Sequence, residues 1–302
     1  MSGFTIMDGA MGDELVARAA PSSTGLWSAE ALLEDPALVA SVHRDYITAG
    51  AGVIITNSYS TIPSYLAKVG RENEYASLAS RAAEIARATA DASSETVIVA
   101  GSIPPLSESY RPDLVPAAEE ALPIYRTLVE ALCDDVDVFL CETMSSVQES
   151  VNAATAVTDR LQARGESRPL WISWTLAEQP GAGLRSGESV AEAVAALSSF
   201  PVAAFLFNCT DPAAISAALE ELRELTDKPI GAYPNRCYIP PGWTLDNDVS
   251  TEYHDMSADQ FVAHCQQWAA LGATMFGGCC GIGPDLIAAL AQWANTQYPT
   301  PS

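Results

Sequence analysis

The chain of 302 residues is 48% hydrophobic, enough to fill one large core, and carries a net charge of −23 with Lys68 and Lys228 as its only lysines. That charge repels nucleic acid and anionic membrane surfaces, and without a run of about 18 uncharged apolar residues the sequence encodes no membrane-spanning helix. Seven cysteines, odd in number and lacking the dense spacing of a disulfide framework, fit a reducing compartment with thiols free for metal. No basic leader precedes the first strand-like segment, so the expected location is cytoplasmic.

A short β-rich apolar run, a turn and a longer Ala- and Leu-rich stretch repeat along the chain. The runs predict strands over 4–7, 52–56, 96–101, 136–141, 170–175, 203–207, 229–233 and 273–277. Between them, apolar residues at three- and four-residue spacing predict helices over 76–92, 116–133, 189–199 and 212–225, with a last helix over 284–298. Alternation of this kind requires right-handed crossovers and a parallel sheet. Eight units predict a (β/α)8 TIM barrel, an α/β fold formed by residues 1–302 as one domain. A doubly wound sheet is disfavoured because Asp8-Gly9-Ala10-Met11-Gly12 is not the glycine-rich phosphate fingerprint expected after its first strand. The irregular stretch 235–257, with Pro240-Pro241-Gly242-Trp243, is expected to loop over the barrel mouth.

Barrel enzymes carry their active sites at the C-terminal ends of the strands. Polar residues fall in those places here. Asp8 follows the first strand, Thr56 and Asn57 end the second, Glu142 and Thr143 follow the fourth, Asn208 and Cys209 the sixth, Asn235 the seventh, and Gly278, Cys279 and Cys280 the eighth.

Adjacent thiols at a strand end seldom bridge each other, but with a third cysteine they can hold a zinc ion. Cys209, Cys279 and Cys280 therefore form a candidate three-thiolate site with one open position. A 2+ ion on three thiolates has a net charge of about −1, which suits it poorly to activating water. It is better suited to holding a fourth, substrate thiolate, deprotonated yet nucleophilic. The matching reaction is attack of sulfur on an activated methyl group. A thiol amino acid also needs its ammonium held, for which Asp8 and Glu142 are suited, while backbone N–H groups around Gly9 and Thr56 are candidates for its carboxylate. The competing role for Asp8 is a cap on the following helix. Alternation along a strand turns only one of Cys141 and Glu142 to the mouth, and Glu142 is the expected one.

The stretches Met7-Asp8-Gly9-Ala10-Met11-Gly12, Thr56-Asn57-Ser58-Tyr59, Glu142-Thr143, Asn208-Cys209, Tyr233-Pro234-Asn235 and Gly277-Gly278-Cys279-Cys280-Gly281 resemble the homocysteine S-methyltransferase family. The resemblance implies a zinc-containing barrel that moves a methyl group to homocysteine and yields methionine. It assigns Cys209, Cys279 and Cys280 to zinc and Asp8 and Glu142 to the homocysteine amino group; Gly9, Thr56, Asn208 and Asn235, from their places at strand ends, are the further substrate contacts expected. It departs after Tyr-Pro-Asn, where the family often continues Ser-Gly and this chain has Arg236-Cys237. Cys237 is read as a small buried thiol, with a spare ligand as the alternative.

An onium methyl donor can be held by aromatic faces, and Tyr59, Trp174, Tyr233 and Trp243 are candidates. S-methylmethionine is the first expectation, with betaine, dimethylsulfoniopropionate or S-adenosylmethionine behind it and a selenol as alternative acceptor. A zinc hydrolase is disfavoured because His43, His254 and His264 all fall away from strand ends. A non-catalytic zinc or thiol-binding barrel is the remaining alternative. The expected partners are small molecules, with no nucleic acid and no membrane, and the assembly a monomer or homodimer.

Overall fold

A computed structural model describes residues 3–18, 26, 28–240, 243, 252–253 and 255–297. Eight parallel strands follow one another around a barrel: Thr5–Ile6, Val53–Ile55, Ile98–Ile103, Val138–Met144, Leu170–Trp174, Val202–Asn208, Ile230–Tyr233 and Met275–Phe276. The first strand pairs with the eighth, and a parallel bridge between Met7 and Val53 joins the first to the second. The predicted barrel is thus the observed one.

Alternation along the strands separates two apolar layers. Met7, Val53, Ala100, Val138, Leu140, Ala204, Leu206 and Met275 fill the barrel interior, with Trp171 packed against them. The opposite faces, among them Ile54, Val99, Phe139, Ile172, Phe205 and Phe276, pack against the surrounding helices. Those helices bury alanine and leucine stripes, such as Leu78, Ala79, Ala82, Ala83 and Ala86 of Tyr75–Asp91. Short residues let helix and sheet approach closely, and their burial is the main stabilising term. Ser189 and Ser257 begin their helices with reciprocal capping boxes to Glu192 and Gln260.

Predicted and observed elements differ mainly at strand ends. The third strand starts at Ile98, and the fourth runs from Val138 through Glu142 and Thr143 to Met144 instead of stopping at Cys141. Its pairing with the fifth shifts register between Cys141 and Met144, and Thr143 takes a left-handed φ of 59°. An irregularity of this kind bends the strand and re-aims its side chains. Glu142 therefore belongs to the strand, and the expected end at Cys141 stopped short because Glu142 and Thr143, which line the cavity, interrupt the apolar run before Met144. No helix among the described residues is long and apolar enough to cross a membrane.

Candidate active site at the barrel mouth

Two glycine-rich segments build one wall of the mouth. Gly9 lies so close to the Ile282 carbonyl oxygen and the Tyr46 ring that any Cβ would collide with them. A Cβ at Gly278 would strike the Ile282 side chain. The space so saved lets the loop after the eighth strand fold over the end of the first. The Gly278 N–H donates to the Asp8 carbonyl (2.9 Å), the Ala10 N–H to the Ile282 carbonyl (3.0 Å), and the Gly281 N–H to the Asp13 carboxylate (2.6 Å). On its other side the loop is stitched to the segment after the seventh strand. Here the Cys279 N–H donates to the Pro234 carbonyl (2.9 Å) and the Arg236 N–H to the Cys280 carbonyl (2.7 Å).

This scaffolding gathers the three predicted cysteines. One sulfur each from Cys209, Cys279 and Cys280 lies within 4.8 Å of the other two. Cys209 and Cys279 are joined as a disulfide with Cα atoms 5.6 Å apart, where the sequence reading expects three free thiolates. Reduced, the trio offers soft donors on one side of a cavity, a set that fits a thiophilic metal. Cys209 sits in the left-handed region at φ 50°. Residues held in such sparsely populated conformations concentrate at functional sites.

The cavity in front of the sulfurs has a volume of about 280 Å³. Asp8, Gly9, Thr56, Glu142 and the three cysteines line it, as do Tyr59, Tyr233, Cys237 and Trp243. Asp8 is 1% exposed; its Oδ2 accepts the Ile55 N–H (2.8 Å), whereas its Oδ1 is buried with no partner. Burial pushes its carboxyl well above the usual range, and neighbouring Glu142 adds to the rise against the lowering Ile55 N–H. Glu142 is likewise pushed by burial to about 7, although Ser102 and Tyr233 both donate hydroxyls to it. Two buried carboxyls facing one cavity, one with an unused oxygen, form a receptor for a cation that brings N–H donors.

Some expected contacts lie elsewhere. The Thr56 N–H is spent on the Ala100 carbonyl (2.9 Å), so it is not the free carboxylate donor the sequence suggested. Asn208 is fully buried and outside the cavity wall: its Oδ1 accepts from the Thr143 N–H (2.9 Å) and Ser173 Oγ (2.6 Å), and its Nδ2 donates to Thr143 Oγ1 (2.8 Å). These bonds hold the irregular turn beside Glu142. Asn235 also lies behind the wall, its side-chain amide buried without a partner. Trp174 is fully buried and stacks on Phe205 (5.3 Å), facing the helices and not the mouth. His43 and His264 lie on the surrounding helices, and His254 is outside the described residues.

Sequence reasoning missed Tyr110, Ser109, Tyr65 and Ile239, all of which line the cavity. Tyr110 meets Trp243 edge to face at 5.5 Å and carries the Arg185 guanidinium over its ring at 4.8 Å. Its signal was the segment Ser109-Tyr110-Arg111-Pro112-Asp113, but a long connection after the third strand gives no hint of where its aromatic lands. Of the 235–257 stretch, Cys237, Ile239 and Trp243 reach the cavity; 241–242, 244–251 and 254 lie outside the described residues.

Residues 5–294 match the family model described as homocysteine S-methyltransferase. The homocysteine S-methyltransferase of Escherichia coli (strain K12) is 35% identical over 94% of this chain and 93% of its own length. A selenocysteine methyltransferase of Astragalus bisulcatus is 31% identical over 98% of this chain and 94% of its own. The crystal structure of the homocysteine methyltransferase MmuM from Escherichia coli in its metallated form superposes with a TM-score of 0.80 at 33% identity, covering 97% of this chain and 96% of that one. The same enzyme in an oxidized form gives 0.79 at 31% identity. With a fold, a cysteine triad and a family model that agree over nearly its whole length, the chain belongs to the homocysteine S-methyltransferase family.

Proposed function

We propose that this barrel transfers a methyl group from a small onium donor, S-methylmethionine first among them, to the thiolate of L-homocysteine, giving methionine, with zinc as its metal. The observation that carries the reading is the sulfur triad and the partnerless Asp8 Oδ1 on the walls of one cavity. Zinc, when held by Cys209, Cys279 and Cys280, supplies a fourth position that keeps a substrate sulfur deprotonated at neutral pH.

The protein's own residues do the rest. Asp8 Oδ1 accepts the substrate ammonium, and Glu142, anchored by Ser102 and Tyr233, supplies the second carboxyl. Binding a cation stabilises the ionised carboxylates and so drives their protons out of the site. Gly9 presents its backbone on the cavity wall, where any side chain would collide with Ile282 and Tyr46. Asn208 acts through Thr143, keeping the turn beside Glu142 in place. Tyr59, Tyr110 and Trp243 present aromatic surface on the cavity wall, suited to a sulfonium or quaternary ammonium group. Buried walls also exclude the water that would compete for the metal.

The test is methionine formation by reduced, zinc-loaded protein given homocysteine and, separately, S-methylmethionine, betaine, dimethylsulfoniopropionate and S-adenosylmethionine. Turnover is expected with S-methylmethionine. Alanine at Cys209, Cys279 or Cys280 should remove both metal and activity, by at least about 1,000-fold, while circular dichroism remains that of a folded barrel. Full metal occupancy in all three variants would overturn the ligand assignment, and turnover with none of the donors would overturn the reaction.

A further inference from the structure

The connection after the fifth strand carries an ion pair that is almost out of water. Arg185 Nη2 donates to Glu178 Oε1 at 2.7 Å, and the two side chains are only 9% and 13% exposed. A pair so little exposed loses much of its attraction to desolvation, so it is better judged by what it holds than by the stability it adds. Glu178 Oε1 also accepts the Ile239 N–H (3.4 Å), from the connection after the seventh strand, and its Oε2 accepts the Asp211 N–H (3.3 Å), from that after the sixth. The Arg185 guanidinium lies over the ring of Tyr110, in the connection after the third strand, at 4.8 Å. Tyr110 in turn packs edge to face on Trp243 at 5.5 Å, and the Trp243 N–H donates to the Pro240 carbonyl at 3.1 Å. One ion pair thus joins four connections of the mouth. Tyr110, Ile239 and Trp243 line the cavity, whereas Arg185 and Glu178 do not.

The backbone of Tyr110 shows that the arrangement is enforced. Its φ of 65° lies in the left-handed region, which is costly for a bulky residue and persists only where the surroundings over-determine it. Arg185 over the ring and Trp243 against it are part of those surroundings. The segment bearing Arg185 is itself fixed: the Ser186 N–H donates to the Ser145 carbonyl (3.1 Å) beyond the fourth strand, and Leu184 forms an antiparallel bridge with Leu176. Charge matters as well as place. A lone guanidinium on Tyr110 would repel an onium group brought to the same aromatic wall, and Glu178 at 2.7 Å offsets that charge.

We propose that Arg185 is a positioning residue for the methyl donor: paired with Glu178, it holds Tyr110, and through it Trp243, where the donor's onium group docks. The inference rests on the reading of that aromatic wall as the donor's. Homocysteine, which meets the cysteines and the Asp8 and Glu142 carboxyls on other connections, does not depend on the pair.

The experiment measures binding of S-methylmethionine and, separately, of homocysteine to reduced, zinc-loaded protein by titration calorimetry, with turnover followed on the same samples. The double substitution Arg185→Met, Glu178→Gln removes both charges, so that neither is left buried alone. It should raise Kd for S-methylmethionine by about ten-fold, the order of one desolvated cation–π contact, and leave Kd for homocysteine and the zinc content unchanged. Arg185→Lys keeps the pairing with Glu178 but not the flat stack on Tyr110, and should weaken S-methylmethionine alone by about three-fold; it carries the test if the double variant does not fold. An unchanged Kd for S-methylmethionine, or an equal loss for both ligands, overturns the proposal. A wild-type chain that binds no S-methylmethionine removes the donor reading and this inference together. Donor binding that follows the expected series without any turnover removes the reaction and sustains this inference, and normal turnover with an unchanged donor Kd in the variants removes this inference alone.

Discussion

The first and eighth strands support two regions of opposite character. On their outer side, Phe4 stacks on Trp293 at 5.0 Å and meets the edge of Phe276 at 5.3 Å, sealing the C-terminal helix Pro284–Gln297 to the barrel. Above their C-terminal ends sit Asp8, with an unused carboxylate oxygen, and the Cys279-Cys280 turn. The outer seam satisfies its groups at once, by burial and ring contact, and its energy goes into stability. The mouth leaves groups unsatisfied and backbone strained, at Thr143 and Cys209, in readiness for something absent from the folded chain. The same pair of strands thus serves both, because successive residues of a strand face different environments.

If that division holds, changes at the mouth should alter substrate binding without unfolding the chain. Asp8→Asn keeps an oxygen for the Ile55 N–H but removes the charge facing the cavity. It should raise KM for homocysteine by about 30-fold, the loss expected for one charge-assisted hydrogen bond, with little change in Tm. Steady-state kinetics and a thermal melt check both halves, and an unchanged KM would remove Asp8 from substrate binding.

The reverse substitution, Trp293→Ala in the seam, should cost about 2 kcal/mol of stability, at the low end for a large aromatic because Trp293 is only partly buried. KM for homocysteine should not move. Denaturant unfolding measures the first and kinetics the second; a large change in KM would mean that the seam and the mouth are coupled.

The smallest effect expected is a pH dependence. Glu142 is held at about 7 by burial, so it is largely protonated at pH 6 and largely ionised at pH 8. A substrate ammonium favours the ionised form, so KM for homocysteine should fall by up to about ten-fold as pH rises across that window. Glu142→Gln should flatten the profile. Glu149 is also held at about 7 by burial, but it spends itself on the Ser145 N–H and hydroxyl at the start of its own helix and does not line the cavity. Glu149→Gln should leave the KM profile intact, which makes it the control.

How far the site was legible follows from what each residue is for. Asp8, Glu142 and the cysteines were readable because polar residues at the ends of apolar runs are costly unless something uses them. Asn208 and Trp174 were misjudged for the same reason: position at a strand end says that a side chain is near the mouth, but not on which face. The register shift at Cys141 to Met144 and the left-handed Thr143 decide that locally, and neither has a signature in residue type. Tyr110 and Cys237 sit on connections whose course is set by what they pack against.

Strand and helix periodicity, eight repeats of them, and the glycine-rich cysteine turn were therefore determined by the sequence alone, since each depends on spacing within one segment. The meeting of Asp8, Glu142, Cys209 and Cys280 in one cavity, the retreat of Asn208 behind its wall, and the arrival of Cys237 at that cavity were decided only by tertiary structure. Those depend on distances between segments far apart in the chain, which closure of the barrel sets and no local pattern records.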